Sequence, residues 1–182
     1  MLRPISETVG NSIILIFFLS IFVTYYDVRY RRIPNNCVLV GFLSGLALNV
    51  WFGGWHGLGG SLMGASFAFC LMFVVRMYSG ATGPGDIKLF AAIGAIIGWQ
   101  TVLPAFLIVL ITGGVLAVVN TLRLGTFRVT IERVALILHG MLPGQRIPRF
   151  PIPQDHKKAL PYGVAICLGS LIALVRQLPQ LS

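Results

Sequence analysis

Apolar residues in this chain come in long uninterrupted runs, and its charged residues gather in the gaps between them. Between Glu7 and Asp27 lie 19 uncharged residues. As a helix rising ~1.5 Å per residue they reach about 28 Å, enough for a hydrocarbon core of roughly 30 Å. Only Arg3 marks the positive end of a signal peptide, and Tyr25-Tyr26-Asp27 stands where a small-residue cleavage site would be, so this run is read as a retained first span. The 43 residues from Ile33 to Val75 carry no charge and are broken at Gly53-Gly54-Trp55-His56-Gly57, which predicts two spans, near 37–52 and 61–78, turning through a short loop. Leu89 to Leu122 is charge-free for 34 residues with a break near Gly98-Trp99-Gln100, which predicts two more, Pro104 falling in a tolerant first turn. Ala159 to Val175 supplies a last run of 17, extendable to about 178 past a snorkelling Arg176. The reading is an all-α polytopic integral membrane protein of about six transmembrane helices.

Composition agrees: 56% of the 182 residues are hydrophobic and 10% charged, against the ~25% charged of an ordinary soluble domain. No long polar stretch remains for a separate soluble module, so residues 1–182 read as a single transmembrane domain. Six alternating spans place Arg29, Arg31, Arg32, Arg76, Lys88, Arg123, Arg128, Arg133, Arg146, Arg149, Lys157 and Lys158 on one side and only Arg3 and Arg176 on the other, dividing the 14 Lys and Arg twelve to two. The crowded side is expected in the cytoplasm, with both termini outside. That topology accounts for the net charge of +9, and no stacking aromatics interleave the basic residues, so nucleic acid is not expected as a partner. The segment 123–158 becomes the main cytoplasmic loop, with an interfacial helix expected near 128–141 and a proline-rich extended stretch after it. Glycines spaced at Gly41/Gly45, Gly60/Gly64 and Gly94/Gly98 predict close helix packing, and Cys37, Cys70 and Cys167 read as inert core residues. The three cysteines and three histidines form neither a C-x-x-C pair nor an H-E-x-x-H, so no metal and no cofactor is expected.

Of the five acidic residues, Asp27 and Asp86 fall at one membrane level, at the same ends of their spans. An ionisable group at a bilayer boundary marks a functional site unless it is an ion-paired helix end. Asp86 follows Gly83-Pro84-Gly85, whose glycines let backbone approach the carboxyl, and precedes Lys88. Asp27 opens Asp27-Val-Arg29-Tyr-Arg-Arg-Ile-Pro34-Asn35, in which Pro34 and Asn35 order the start of the next span. Two close carboxyls cannot both ionise, so one keeps a proton while the other acts as base, a pair that can activate water against a peptide carbonyl. Lys88 and Arg29, each two residues past a carboxyl, are secondary candidates for tuning it or positioning substrate; Gly83 and Gly85 are stronger supporting candidates, because a Cβ there would crowd the turn or the substrate.

At these residues the chain resembles the prepilin peptidases, polytopic aspartic proteases of the G-x-G-D type. Asp27-x-Arg-x-x-x-Ile-Pro-Asn35 is similar to the family's first aspartate motif, Gly83-Pro-Gly-Asp-Ile-Lys88 to its second, and Leu160-Pro-Tyr-Gly-Val-Ala165 to the small motif opening its last helix. The resemblance implies Asp27 and Asp86 as a catalytic pair cleaving type IV-like prepilins or pseudopilins at the cytoplasmic membrane face, commonly after a leader glycine. Its implied partners are the prepilin substrate helix, membrane lipid and the pilus or secretion assembly machinery. Long family members add an N-terminal domain with paired C-x-x-C motifs that methylates the new N-terminus; the chain resembles the short branch serving Flp-type pili, for which neither methylation nor zinc is expected.

Three other readings compete. Tyr26-Asp27 and Gly83-x-Gly-Asp86 are also the frames of signal peptide peptidases and presenilins, but those carry a Pro-Ala-Leu motif where Pro161 is here followed by Tyr162-Gly163. A serine intramembrane protease needs a membrane histidine, and His56, His139 and His156 all fall in loops. A proton-coupled carrier or a structural subunit of an assembly complex predicts acids near mid-membrane, whereas both candidates lie at one surface.

Overall fold

The computed structural model describes residues 3–30, 33–79, 82–123, 125 and 162–176. They form five helices: α1 (Arg3–Tyr30), α2 (Asn35–Ser79), α3 (Pro84–Ile97), α4 (Trp99–Arg123) and α5 (Tyr162–Val175). No strand occurs among the described residues. Thr8–Asp27, Asn35–Met77 and Trp99–Arg123 are each long and apolar enough to cross a membrane. The surface is that of an integral membrane protein, because large apolar side chains such as Phe17, Phe22, Val40, Met63 and Ile111 stand on the outside. Such an exterior suits a lipid surrounding rather than water. Aromatic side chains mark both ends of the spans: Tyr26 meets Tyr25 edge to face and Tyr30 at a tilt, around Asp27, while Trp51 and Trp55 lie exposed around Gly54.

The two spans expected at 37–52 and 61–78 are the two arms of α2, which reverses at Gly54 (φ 55, ψ −139). That φ belongs to the left-handed region where glycine pays no steric penalty. The arms lie side by side: a Cβ on Gly57 would collide with the carbonyl of Asn49. A second glycine of positive φ, Gly98 (φ 73), separates α3 from α4 and lets Phe90 on one meet Phe106 on the other at 6.0 Å between ring centroids. Pro104 lies past the first turn of α4, further in than its sequence position had implied, where it forgoes one helical hydrogen bond.

Contacts divide the chain into two compact units, Met1–Gly113 with Pro161–Ser182, and Gly114–Leu160. In the second, the described residues carry α4 to Arg123, with Thr121 Oγ1 donating back to the Ala117 carbonyl at 2.6 Å. The helix expected near 128–141 and the proline-rich stretch lie outside the described residues. In the first unit α3 is the centre, with Leu89, Phe90 and Ile93 fully buried among Ile16, Val23, Met72 and Ile166 of the surrounding helices. Gly64 of α2 and Gly94 of α3 meet backbone to backbone, Gly45 abuts Ile96 and Gly41 abuts Leu19, so these glycines set the helix spacing; Gly60 has open space instead. Of the cysteines only Cys167 is in the core, Cys70 being exposed and Cys37 half-buried.

With 14 residues, α3 is too short to cross a bilayer alone, so its last carbonyls end inside the protein. A helix end buried without partners is costly. Asn49 Nδ2 donates to the carbonyls of Ala95 at 2.9 Å and Ile96 at 3.1 Å, Ser61 Oγ to Ala95 at 2.6 Å, and Ser12 Oγ to Ile96 at a long 3.5 Å. Replacing Asn49→Leu should therefore cost about 1–3 kcal/mol, while Gly60→Ala, inside α2 with open space for its Cβ, should be neutral or stabilising by up to about 1 kcal/mol. Reversible unfolding in mixed micelles followed by circular dichroism distinguishes them, and equal midpoints for the two variants would contradict the assignment.

Candidate active site

Asp27 stands in the penultimate turn of α1, only 7% exposed. Its Oδ2 accepts the Gly163 amide N–H at 2.9 Å across 136 residues of sequence. Gly163 is the second residue of α5, and amides in a first helical turn have no intrahelical carbonyl to bond. The carboxylate thus completes the end of another helix, where the helix dipole favours negative charge. Glycine is needed for the approach, since a Cβ at 163 would sit 2.8 Å from Asp27 Oδ2 and 3.2 Å from Val23 Cγ1.

Asp86 occupies the first turn of α3, outside the three candidate spans, and is 9% exposed. Pro34 and Pro84 each stand at a helix start: the Pro34 carbonyl accepts from Cys37 and Val38 to open α2, and Pro84 is the first residue of α3. Gly83 precedes α3 in ordinary extended backbone (φ −76), and its amide N–H donates to Asp86 Oδ2 at 2.8 Å, half of a capping box. Burial pushes the Asp86 carboxyl up to about 6; the Gly83 N–H opposes that rise, the Asp27 charge adds to it, and the Arg76 charge opposes it again. Asp27 and Asp86 are therefore within electrostatic reach of one another. The charge of Asp86 is also felt by Tyr162, the first residue of α5.

The supporting candidates separate. A Cβ on Gly83 would stand 3.3 Å from Asp86 Oδ2, a tight fit, whereas one on Gly85 would touch only Ile33 at an ordinary 3.4 Å. Lys88 Nζ donates to Asn35 Oδ1 at 3.3 Å, tying the first turn of α3 to that of α2. Arg29 is exposed in the last turn of α1. Three contributors escaped the sequence reading. Gly163 lay inside a recognised motif without an assigned task. Arg76 is in the sequence one of the topological charges, yet its Nη1 donates to the Thr82 carbonyl at 2.5 Å and its charge bears on Asp86. Thr82 is buried directly before Gly83. The one available signal was that Arg76 stands in the last turn of α2, shortly before the glycine turn. Among the described residues no three His, Cys, Asp or Glu side chains gather as a metal-binding group.

Fold and site together define a helical membrane protein that gathers two buried carboxyls, from distant parts of its chain, at one end of its bundle. The sequence model of the type IV leader peptidase family matches residues 13–118. The chain belongs to that family. It is similar to the prepilin leader peptidase/N-methyltransferase of Bacillus subtilis (strain 168), 28% identical over 85% of this chain and 51% of the relative. The protein of the same description from Escherichia coli (strain K12) is 31% identical over 63% of this chain and 52% of the relative, and that from Burkholderia pseudomallei (strain 1026b) 30% identical over 53% and 33%. The chain thus spans about half the length, or less, of these relatives. No solved structure matches it.

Gly163→Ala should expel the Asp27 carboxyl from its amide and lower stability by about 1–3 kcal/mol. Gly85→Ala should be neutral or stabilising by up to about 1 kcal/mol, because alanine is the better helix former. Unfolding midpoints in the same micelles decide it, and an unaffected Gly163→Ala variant would show that the Asp27 contact bears no load.

Proposed function

We propose that this protein is an aspartic endopeptidase that removes leader peptides from type IV-like prepilins or pseudopilins, of the Flp type, with Asp27 and Asp86 as its catalytic residues. The observation that carries the reading is the pair of buried carboxyls within electrostatic reach, one of them titrating near neutrality. Family membership and relatives described as prepilin leader peptidases support the substrate class. The twelve-to-two division of Lys and Arg supports an inner-membrane protein with this site at the cytoplasmic face, where water is available.

In this mechanism Asp86 carries the proton and Asp27, facing the Gly163 amide, is the carboxylate. Asp27 takes a proton from a water molecule as its oxygen attacks the scissile carbonyl, and Asp86 gives its proton to the carbonyl oxygen, forming a neutral gem-diol. Asp27 then protonates the leaving amine while Asp86 recovers a proton from the gem-diol, so the C–N bond breaks and both carboxyls return to their starting state. Water is consumed, and no cofactor takes part. The glycines at 83 and 85 leave room for an extended substrate beside Asp86, and Lys88, Asn35, Pro34 and Arg29 shape the surroundings as supporting residues.

Asp27→Asn and Asp86→Asn should each lower cleavage of a co-reconstituted prepilin by at least about a thousandfold while inserting normally, because an amide neither accepts nor relays the proton. Sequencing the new N-terminus should place the cut after a leader glycine. Full cleavage by either inserted variant would refute the pair. The raised Asp86 pKa also sets the sign of the pH response. Its protonated form is required and is lost as pH rises through about 6, so kcat/KM should fall by about tenfold per unit above that point. A flat profile between pH 5 and 8 would contradict the assigned protonation.

A further inference from the structure

Among the described residues, two grooves indent the apolar surface beside α2. One, about 350 Å³ between α1 and the first arm, is lined by residues such as Leu15, Phe18, Phe22 and Val40 without a charged group, and its lining selects no occupant. The other, about 340 Å³ between the arms of α2 and α3, is ordered from polar to apolar. Asn35, Asn36 and Lys88 stand at its mouth, in the first turns of α2 and α3. Leu39 and Phe42 follow down the first arm, and Phe69 faces them from the returning arm.

We propose that this groove binds one anionic phospholipid, its phosphate at Lys88 and the two asparagine amides, one acyl chain lying along Leu39, Phe42 and Phe69. Charge order is the first argument. The single cation of the groove is at its mouth, on a helix whose following turns are apolar, so the site asks for an amphiphile with a negative head. The Lys88 ammonium spends one N–H on Asn35 Oδ1 at 3.3 Å, which orients it and leaves two N–H donors for a phosphate. Size is the second. An α-helix with its side chains, about 10 Å across and rising ~1.5 Å per residue, fills roughly 120 Å³ per residue. A space of about 340 Å³ would hold less than one turn of it, whereas a thinner extended chain uses the space along its length. Backbone chemistry is the third. An extended peptide along the apolar wall would leave its N–H and C=O groups without partners, a cost an acyl chain does not incur. The site lies beside Asp86 without using either carboxyl, so it adds a lipid-binding function to the same end of the bundle.

The test is lipid retention by the full chain in nanodiscs of phosphatidylcholine doped with phosphatidylglycerol, read by native mass spectrometry on release. Wild type should retain one phosphatidylglycerol in preference to phosphatidylcholine by about fivefold, the effect of one favourable lysine contact at a membrane surface. Lys88→Arg should keep that preference, Lys88→Gln should lose it, and Ala91→Phe, which narrows the groove, should lose the retained lipid. Millimolar inorganic phosphate should not displace the lipid; displacement would assign a simple anion site and overturn the proposal. Equal retention of the two lipids by wild type, or an undiminished preference in Lys88→Gln, would overturn it too. Asp86→Asn should retain lipid as wild type does, so the result stands apart from the outcome of the cleavage assay.

Discussion

The rest of the structure depends on how the short central helix ends. In a bilayer no water is present to satisfy backbone carbonyls, and α3 stops at Ile97 with its last carbonyls inside the protein. Side chains from α1 and from both arms of α2 converge there: Ser12, Asn49 and Ser61 donate to the carbonyls of Ala95 and Ile96. This junction explains why α2 must reverse at Gly54, since Asn49 and Ser61 reach the same carbonyls only if the chain between them turns back. It also explains the glycines at 45, 64 and 94, which bring the helices close enough for short side chains to span the gap. A central helix anchored at one end from three directions holds its other end in place, and Asp86 is at that other end.

The opposite ends of the helices obey the same constraint with the sign reversed. First-turn amides need acceptors, and here the acceptors are the two carboxyls proposed as catalytic: Asp86 takes the amide of Gly83 ahead of its own helix, and Asp27 takes that of Gly163 on a different one. Each carboxyl is thereby oriented by a backbone N–H of a glycine, whose missing Cβ is what lets the carboxyl approach. Burial raises Asp86 while the amide and Arg76 restrain the rise, leaving its proton exchangeable near neutral pH. Arg76 is coupled to the same turn twice, through its charge and through its hydrogen bond to the Thr82 carbonyl. Structural capping and the proposed proton chemistry therefore use the same atoms.

Much of this was legible in the sequence, and the reasons are physical. Charge-free runs longer than a bilayer is thick admit few structures other than helices, and the breaks at Gly53-Gly54 and Gly98 were visible because glycine alone adopts the positive φ found there. Asp27 and Asp86 stood out because acids are rare in such a chain and these two carry glycine- and proline-framed motifs. What the local pattern could not resolve was partnership. Gly60 and Gly64 look alike in sequence, yet only Gly64 meets a neighbouring backbone, and Cys70 and Cys167 look alike although one is exposed and the other buried. Neither distinction is carried by hydropathy, because the lipid face and the protein core are both apolar.

The sequence by itself determined the helical membrane class, the breaks between runs and the identity of the two acids, since each follows from local composition and the energetic cost of burying charge or bare backbone in lipid. Only the tertiary structure decided that Asp27 meets an amide 136 positions away, that Arg76 bears on Asp86, and that Asn49 closes the end of α3. These are contacts between residues far apart along the chain. Their existence depends on which faces of the helices pack together, and in a bilayer that choice is made by close packing and hydrogen bonding between helices, which one-dimensional hydropathy does not encode.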